Sequence, residues 1–187
     1  VTERSRGLPI PDPYNIARLE GRLGELGFRL SHSAETPTTM AVIRDEALAG
    51  NTSPLIALTD HQTQGVGRDL TKIWHDIAGC SILFSAFFRI IDETTTAEFA
   101  DIVALRVCMA LRQQGADVLI KAPNDIVSRK TGDKVSGLLV RNMFSPIDAR
   151  YIGSNVGIGV NVHYSQKELD GYPTDYGATS LDLLAGK

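Results

Sequence analysis

Short apolar runs separated by polar or glycine-bearing segments are the feature that most limits the fold of this chain. The runs have the length and β-branched content of strands and cover 28–33, 54–58, 81–90, 118–120, 134–140 and 151–162. Helical spacing of apolar residues is confined to 16–26, 39–48 and 95–114. Strands and helices do not alternate strictly, as they would in a doubly wound sheet. The sequence therefore predicts an α/β (α+β) domain with a mixed sheet flanked by helices, in which 118–120 and 134–140 form a hairpin.

Charge and cysteine content exclude several classes of partner. The chain has 19 Lys+Arg against 22 Asp+Glu, a net charge of -3, which favours neither nucleic acid nor an anionic membrane. No apolar run approaches the ~20 residues that span a bilayer. Cys80 and Cys108 lie in apolar stretches without metal-ligand spacing, so we expect buried, reduced thiols. These features predict a soluble cytoplasmic protein with no nucleic-acid or membrane partner.

A polar loop follows the 54–58 strand and carries Gly65, Gly67 and Arg68. The glycines permit backbone conformations that expose N–H groups, and Arg68 supplies a fork of donors suited to carboxylate or phosphate. The pattern predicts an anion site, although it also occurs in ordinary turns whose arginine reaches solvent. His61 and His75 flank this loop, but neither triad nor metal spacing includes them, and we expect all histidines to be non-catalytic.

Two further segments carry cations next to apolar strands. Lys121 begins a Lys-Ala-Pro-Asn-Asp stretch whose Asn124 and Asp125 offer oxygen atoms for a nucleotide phosphate with magnesium. The alternative is a turn with proline at its first central position. Lys134 opens a strand, where it either points inward and is paired with an anion or points outward from an edge. Position alone does not decide between them.

Taken in order, these segments resemble the catalytic domain of biotin protein ligases, within the biotin/lipoate protein ligase family. The family's Gly-Arg-Gly-Arg loop, Lys-Trp-Pro-Asn-Asp strand end and Lys-(Leu/Val)-(Ala/Ser)-Gly strand correspond to 62–68, 121–125 and 134–137. Residues 156–161 resemble its Gly-X-Gly-(Ile/Val)-Asn strand, and 177–181 its Ala-Thr-Ser-Leu segment. The resemblance implies a fold similar to class II aminoacyl-tRNA synthetases. It places an N-terminal lead and short helix at 1–27 and the catalytic domain at 28–187, without the family's small C-terminal β-barrel.

The resemblance also implies a reaction and its residues. Biotin would react with ATP to form biotinyl-5'-AMP, and the biotinyl group would pass to a lysine of a biotin carboxyl carrier protein, with Mg²⁺ assisting. The catalytic residues would be Arg68, Lys134 and Lys121. The biotin site would comprise Thr38, Thr39, Met40, Gln62, Gly65, Val66, Gly67, Arg68, Lys134, Gly137 and Gly157. The nucleotide site would comprise Lys121, Asn124, Asp125, Asn161 and Trp74, with Asn124 and Asp125 as metal ligands.

Some positions depart from the family pattern. Val66 replaces an arginine of the loop that closes over the adenylate, Ala122 replaces the usual tryptophan, and Met40 stands where asparagine is usual. One alternative is a lipoate or octanoate enzyme of the same fold, although its Arg-Arg-X-Ser-Gly-Gly-Gly loop is absent here and Pro-Asn-Asp favours biotin. The other is a non-catalytic module that binds biotin or its adenylate.

Overall fold

A computed structural model describes residues 14–51, 53–67, 72–89, 96–172 and 176–186. The helices are α1 (Ile16–Glu25), α2 (Thr39–Leu48), α3 (Thr96–Gln113), α4 (Gln166–Leu169) and α5 (Leu181–Leu184). The helices predicted from apolar spacing at 16–26 and 95–114 are confirmed as α1 and α3, and Gly27 and Gly115 follow them with φ of 81° and 88°, which suits glycine at a helix end. Within these ranges, no helix combines the length and apolar character that crossing a membrane requires.

The strands are β1 (Arg29–Ser33), β2 (Leu55–Thr59), β3 (Ser81–Phe88), β4 (Val118–Lys121), β5 (Asp125–Ser128), β6 (Lys134–Phe144) and β7 (Tyr151–Asn161). They form one seven-stranded sheet in the order β1-β2-β3-β7-β6-β5-β4. The pair β1–β2 is parallel and the remaining pairs are antiparallel. The predicted mixed sheet flanked by helices is therefore confirmed.

The predicted hairpin between 118–120 and 134–140 is wrong. Strand β5 lies between them and pairs antiparallel with β4 on one side and with β6 on the other. Its Ile126 and Val127 are buried, at 0% and 2% exposure, so a short apolar strand separates the two that the sequence suggested as neighbours. In β5 only Ile126 and Val127 are apolar, directly after the polar Asn124 and Asp125, so the sequence shows no apolar run that separates this strand from the preceding polar segment.

The two faces of the sheet have different roles because side chains alternate along a strand. On β7, Val156, Ile158 and Val160 point to the main core, where they pack with α3 residues such as Cys108. The intervening Gly157 lies on the opposite face, below the N-terminus of α2. One face is thus filled by the long helix, and the other is left open over glycines. Both cysteines are buried and free, as predicted.

Candidate functional site

A cavity of about 640 Å³ lies over the glycine-bearing face of β6 and β7. Most of the predicted site residues line it, although they come from distant parts of the chain. These are Thr38, Thr39, Met40, Gln62, Val66, Gly67, Trp74, Lys121, Asn124, Asp125, Lys134, Gly137, Gly157 and Asn161. Gly65 is buried beside the cavity without lining it, and Arg68 lies outside the described residues. The segments that sequence order kept apart therefore meet in one place.

The N-terminus of α2 forms a polar end of the cavity, where Thr39 is buried. Thr38 caps the helix by accepting from the Met40 N–H (3.4 Å). Thr39 is only 3% exposed, and both its N–H and its hydroxyl donate to Gln62 Oε1, at 2.9 and 3.3 Å. Its hydroxyl also lies 2.7 Å from Ser85 Oγ. The bonds from Thr39 hold the Gln62 side chain through its amide oxygen. The other polar group of this amide is Nε2, which donates hydrogen bonds.

The floor of the cavity is made of glycines that allow side chains to lie against the strands. A Cβ at Gly159 would lie 2.6 Å from Trp74 Cε2, and one at Gly137 would lie 2.9 Å from Trp74 Cζ3. A Cβ at Gly157 would lie 2.9 Å from the sulfur of Met40. A larger residue at any of the three would displace a side chain that lines the cavity.

The backbone N–H of Gly67 is not exposed to an anion, as the sequence predicted it would be. Neither Gly65 nor Gly67 has a positive φ, and the Gly67 N–H donates to Lys72 O (2.7 Å) instead of being exposed to an anion. A Cβ at Gly65 would lie 2.5 Å from Trp74 O, and Val66 pairs with Ile73. The glycines therefore allow the 72–74 segment to approach the backbone of 65–67 closely.

Lys134 points into the cavity. Of the two orientations that the sequence left open, the inward one is therefore correct. Its backbone is paired with β5 and also with the 177–179 segment, so it does not occupy a sheet edge. Its Nζ lies 2.7 Å from Asp125 Oδ1 and 5.5 Å from the centre of the Trp74 ring. The Asp125 contact is an ion pair without the angles of a directed hydrogen bond.

Lys121 occupies the exposed rim of the same cavity. Its Nζ lies 3.1 Å from the centre of the Tyr176 ring, and the Tyr176 hydroxyl donates to the second oxygen of Asp125. Tyr176 connects the two cations through one carboxylate, and sequence reasoning missed it because no motif includes it. The cavity thus runs from a buried polar end, past the half-buried Lys134, to the exposed Lys121.

Asp125, one of the two predicted magnesium ligands, does not fit that role as it stands. Both of its oxygens are engaged, one by Lys134 and the other by Tyr176. Asn124 Nδ2 donates to Leu138 O (2.8 Å), a bond that does not use the amide oxygen with which asparagine would bind a cation. A carboxylate that neutralises an ammonium ion is a poor metal ligand unless the ion pair breaks. In the described ranges, no group of three His, Cys, Asp or Glu residues is placed to hold a metal.

Asn161 and His75 also line the cavity, whereas His61 does not. Asn161 lines the cavity at 6% exposure and donates from Nδ2 to Thr179 O (3.1 Å). His75 also lines it and stacks on Tyr172, with ring centres 5.6 Å apart. His61 lies 2.9 Å from Asp76, a buried carboxylate that the sequence did not single out. The non-catalytic role predicted for the histidines stays a prediction.

Comparison with known proteins gives one family. Residues 33–161 match the Biotin/lipoate A/B protein ligase family. The chain is similar to the biotin protein ligase of Aquifex aeolicus solved in complex with biotin and ATP, with 25% identity and a TM-score of 0.62 over 84% of this chain and 61% of that one. It is also similar to the Leishmania major biotin protein ligase solved with biotinyl-5-AMP, with 19% identity and a TM-score of 0.65 over 86% and 65%. It spans less than two thirds of either protein. A search of curated proteins finds no match to the sequence.

Proposed function

Because this chain belongs to the Biotin/lipoate A/B protein ligase family, we propose that it activates biotin with ATP as biotinyl-5'-AMP and transfers the biotinyl group to a lysine of a biotin carboxyl carrier protein. The observation that carries the proposal is the position of Lys134, directed into a cavity that has a polar, buried end on one side and a second cation at its rim. This order of groups suits an acid whose head lies deep, whose carboxylate lies at Lys134, and whose nucleotide partner enters from the rim.

The first step joins two anions, which is the barrier that the cavity is suited to lower. An oxygen of the biotin carboxylate attacks the α-phosphorus of ATP, the bond from that phosphorus to the bridging oxygen breaks, and pyrophosphate leaves. Lys134 neutralises the carboxylate and the α-phosphate as charge develops between them. Lys121, more exposed, attracts the phosphates. We assign no step to a metal, since both oxygens of Asp125 are engaged by Lys134 and Tyr176.

In the second step the amine of a carrier lysine attacks the acyl carbon of the adenylate. The bond between that carbon and the phosphate oxygen breaks, AMP leaves, and the amine loses a proton as the amide forms. Part of the cavity is open at the rim, where Lys121 is exposed, so a lysine on a protein surface has a route of approach. We place the carrier protein on this side.

The polar end of the cavity favours biotin over lipoate. The ureido ring of biotin carries two N–H donors and one carbonyl acceptor, and it needs partners of both kinds when it is buried. Thr38, Thr39 and Gln62 supply hydroxyl and amide groups at that end. The dithiolane of lipoate and the alkyl end of octanoate have no such requirement. Met40, whose sulfur lies over Gly157, is the feature that favours the apolar acids.

Calorimetry with biotin, lipoic acid and octanoic acid, each with and without ATP, tests the proposal. We expect biotin to bind most tightly and biotin with ATP to release pyrophosphate. Tighter binding of lipoic or octanoic acid would assign the chain to the other branch of the family. Biotin binding without pyrophosphate release would identify a non-catalytic binding module.

A further inference from the structure

Asp76 is a buried carboxylate behind the polar end of the cavity. Its side chain is 0% exposed, and it lies 2.9 Å from His61 Nδ1 through Oδ2. Its Oδ1 accepts from the backbone N–H of Gln62 (3.3 Å). A carboxylate removed from water needs such partners to offset its lost hydration. Burial raises the pKa of Asp76, against the opposing effect of the His61 contact.

The contacts of Asp76 join the two ends of the glycine-bearing loop. Gln62 precedes the loop, while Asp76 follows Trp74, whose N–H donates to Gly65 O (3.0 Å). The backbone of Gln62 is therefore fixed by Asp76, and its side chain is fixed by Thr39. Together these bonds leave the Gln62 amide one orientation at the buried end of the cavity.

We propose that Asp76, supported by His61, is a positioning residue that makes this site selective for acids with a hydrogen-bonding head. By fixing Gln62 before the ligand arrives, Asp76 removes the cost of ordering that side chain on binding. The inference rests on the proposed function. It predicts that acids with a polar head, such as biotin, depend on Asp76, whereas octanoic acid, whose alkyl end makes no hydrogen bond, does not.

A second buried pair in the same region provides the matched control. His32 Nε2 lies 2.9 Å from Asp60 Oδ1, and Asp60 is 7% exposed. Within the described ranges, the Asp60 carboxylate has no hydrogen bond to a residue that lines the cavity. Asp60→Ala therefore removes a comparable buried carboxylate without releasing Gln62.

The test compares Asp76→Ala with Asp60→Ala by calorimetry using biotin and octanoic acid. We expect Asp76→Ala to weaken biotin binding about tenfold or more, Asp60→Ala to weaken it less than about twofold, and neither to change octanoic acid binding by more than about twofold. The double variant Gln62→Ala/Asp76→Ala should bind biotin no more weakly than Gln62→Ala, because both act through one group. Equal losses in the two alanine variants, or full additivity with Gln62→Ala, would overturn the proposal.

Two measurements keep the test decisive. Hydrogen exchange of the Gln62 backbone amide needs no ligand, so it tests positioning even if the wild type binds none of these acids and the proposed function fails. We expect faster exchange in Asp76→Ala than in Asp60→Ala, and equal exchange would refute the role of Asp76. If Asp76→Ala does not fold, Asp76→Asn replaces it. Asparagine keeps an acceptor for the Gln62 N–H and donates to the other tautomer of His61, so near-normal biotin binding is expected, and a loss like that of Gln62→Ala would contradict positioning.

Discussion

The ammonium of Lys134 lies 2.7 Å from the carboxylate of Asp125 at the centre of the cavity. The side chains are 26% and 16% exposed, so the pair is partly shielded from water. In the absence of ligand, Asp125 supplies the negative charge that Lys134 needs. A bound carboxylate or phosphate would then share this ammonium with Asp125 and would not have to desolvate an isolated cation.

Lys134→Ala should abolish release of pyrophosphate from ATP with biotin, because the step loses the cation beside the reacting carboxylate. The variant should also lose stability, by about 1–3 kcal/mol, since Asp125 is left without its ammonium partner. Adding Asp125→Asn should restore stability but not activity, as measured by urea unfolding and by a pyrophosphate assay. Lys130→Ala, on an exposed turn, is the matched control. Normal pyrophosphate release from Lys134→Ala would contradict the proposed function.

Val66→Arg should slow the release of the adenylate. Val66 lines the cavity, and an arginine there adds a fork of donors next to the phosphate of the intermediate. Adenylate that stays with the protein through gel filtration measures its lifetime. Val66→Gln, similar in length but uncharged, separates charge from size. An equal effect of glutamine and arginine would show that charge at this position is unimportant.

Gly159→Ala should weaken binding of biotin with ATP by displacing the Trp74 ring from the sheet. The added Cβ would lie 2.6 Å from Trp74 Cε2, so the ring must move into the cavity. Gly24→Ala is the control, because nothing lies within 4 Å of a Cβ added at Gly24. This residue lies in a helix, where alanine is favoured over glycine by roughly 0.5–1 kcal/mol. Calorimetry follows the affinity, and Trp74, the only tryptophan, reports the displacement by fluorescence. Unchanged affinity would argue against a ligand at this part of the floor.

Asp76 should give the stability of the protein an unusual pH dependence. Because burial raises its pKa, the folded state binds this proton more tightly than the unfolded state. The resulting stabilisation is complete below the ordinary carboxyl pKa of about 3.9 and is lost as the pH rises through the raised value. The free energy of unfolding of the wild type relative to Asp76→Asn should therefore fall as the pH rises from below the ordinary carboxyl pKa through the raised value.

Urea unfolding across this range measures the difference, and Asp148→Asn provides a control of opposite sign. A hydrogen bond from the Ser145 hydroxyl, followed by one from the Arg150 N–H, lowers the pKa of Asp148. The stabilisation from Asp148 is therefore lost as the pH falls. A difference between wild type and Asp76→Asn that stays constant with pH would contradict the account of Asp76.

Most of the element order followed from local patterns in the sequence. Short apolar or β-branched runs predicted the strands at 28–33, 54–58 and 151–162, and helical spacing of apolar residues predicted α1 and α3. These patterns are readable because strand and helix periods differ and because glycine adopts the backbone conformation that ends a helix. Strand β5 was missed because only two of its residues, Ile126 and Val127, are apolar and they directly follow the polar Asn124 and Asp125.

The sequence by itself determined which chemical groups this protein carries and in what order they follow its apolar runs. Only the tertiary structure decided that Lys134 points inward to Asp125, that the Gly67 N–H is used by Lys72, and that Asp76 lies behind Gln62. Each of these relationships joins residues on different segments. The direction of a side chain is selected by burial and by the partner that offsets lost hydration, and spacing along the chain encodes neither.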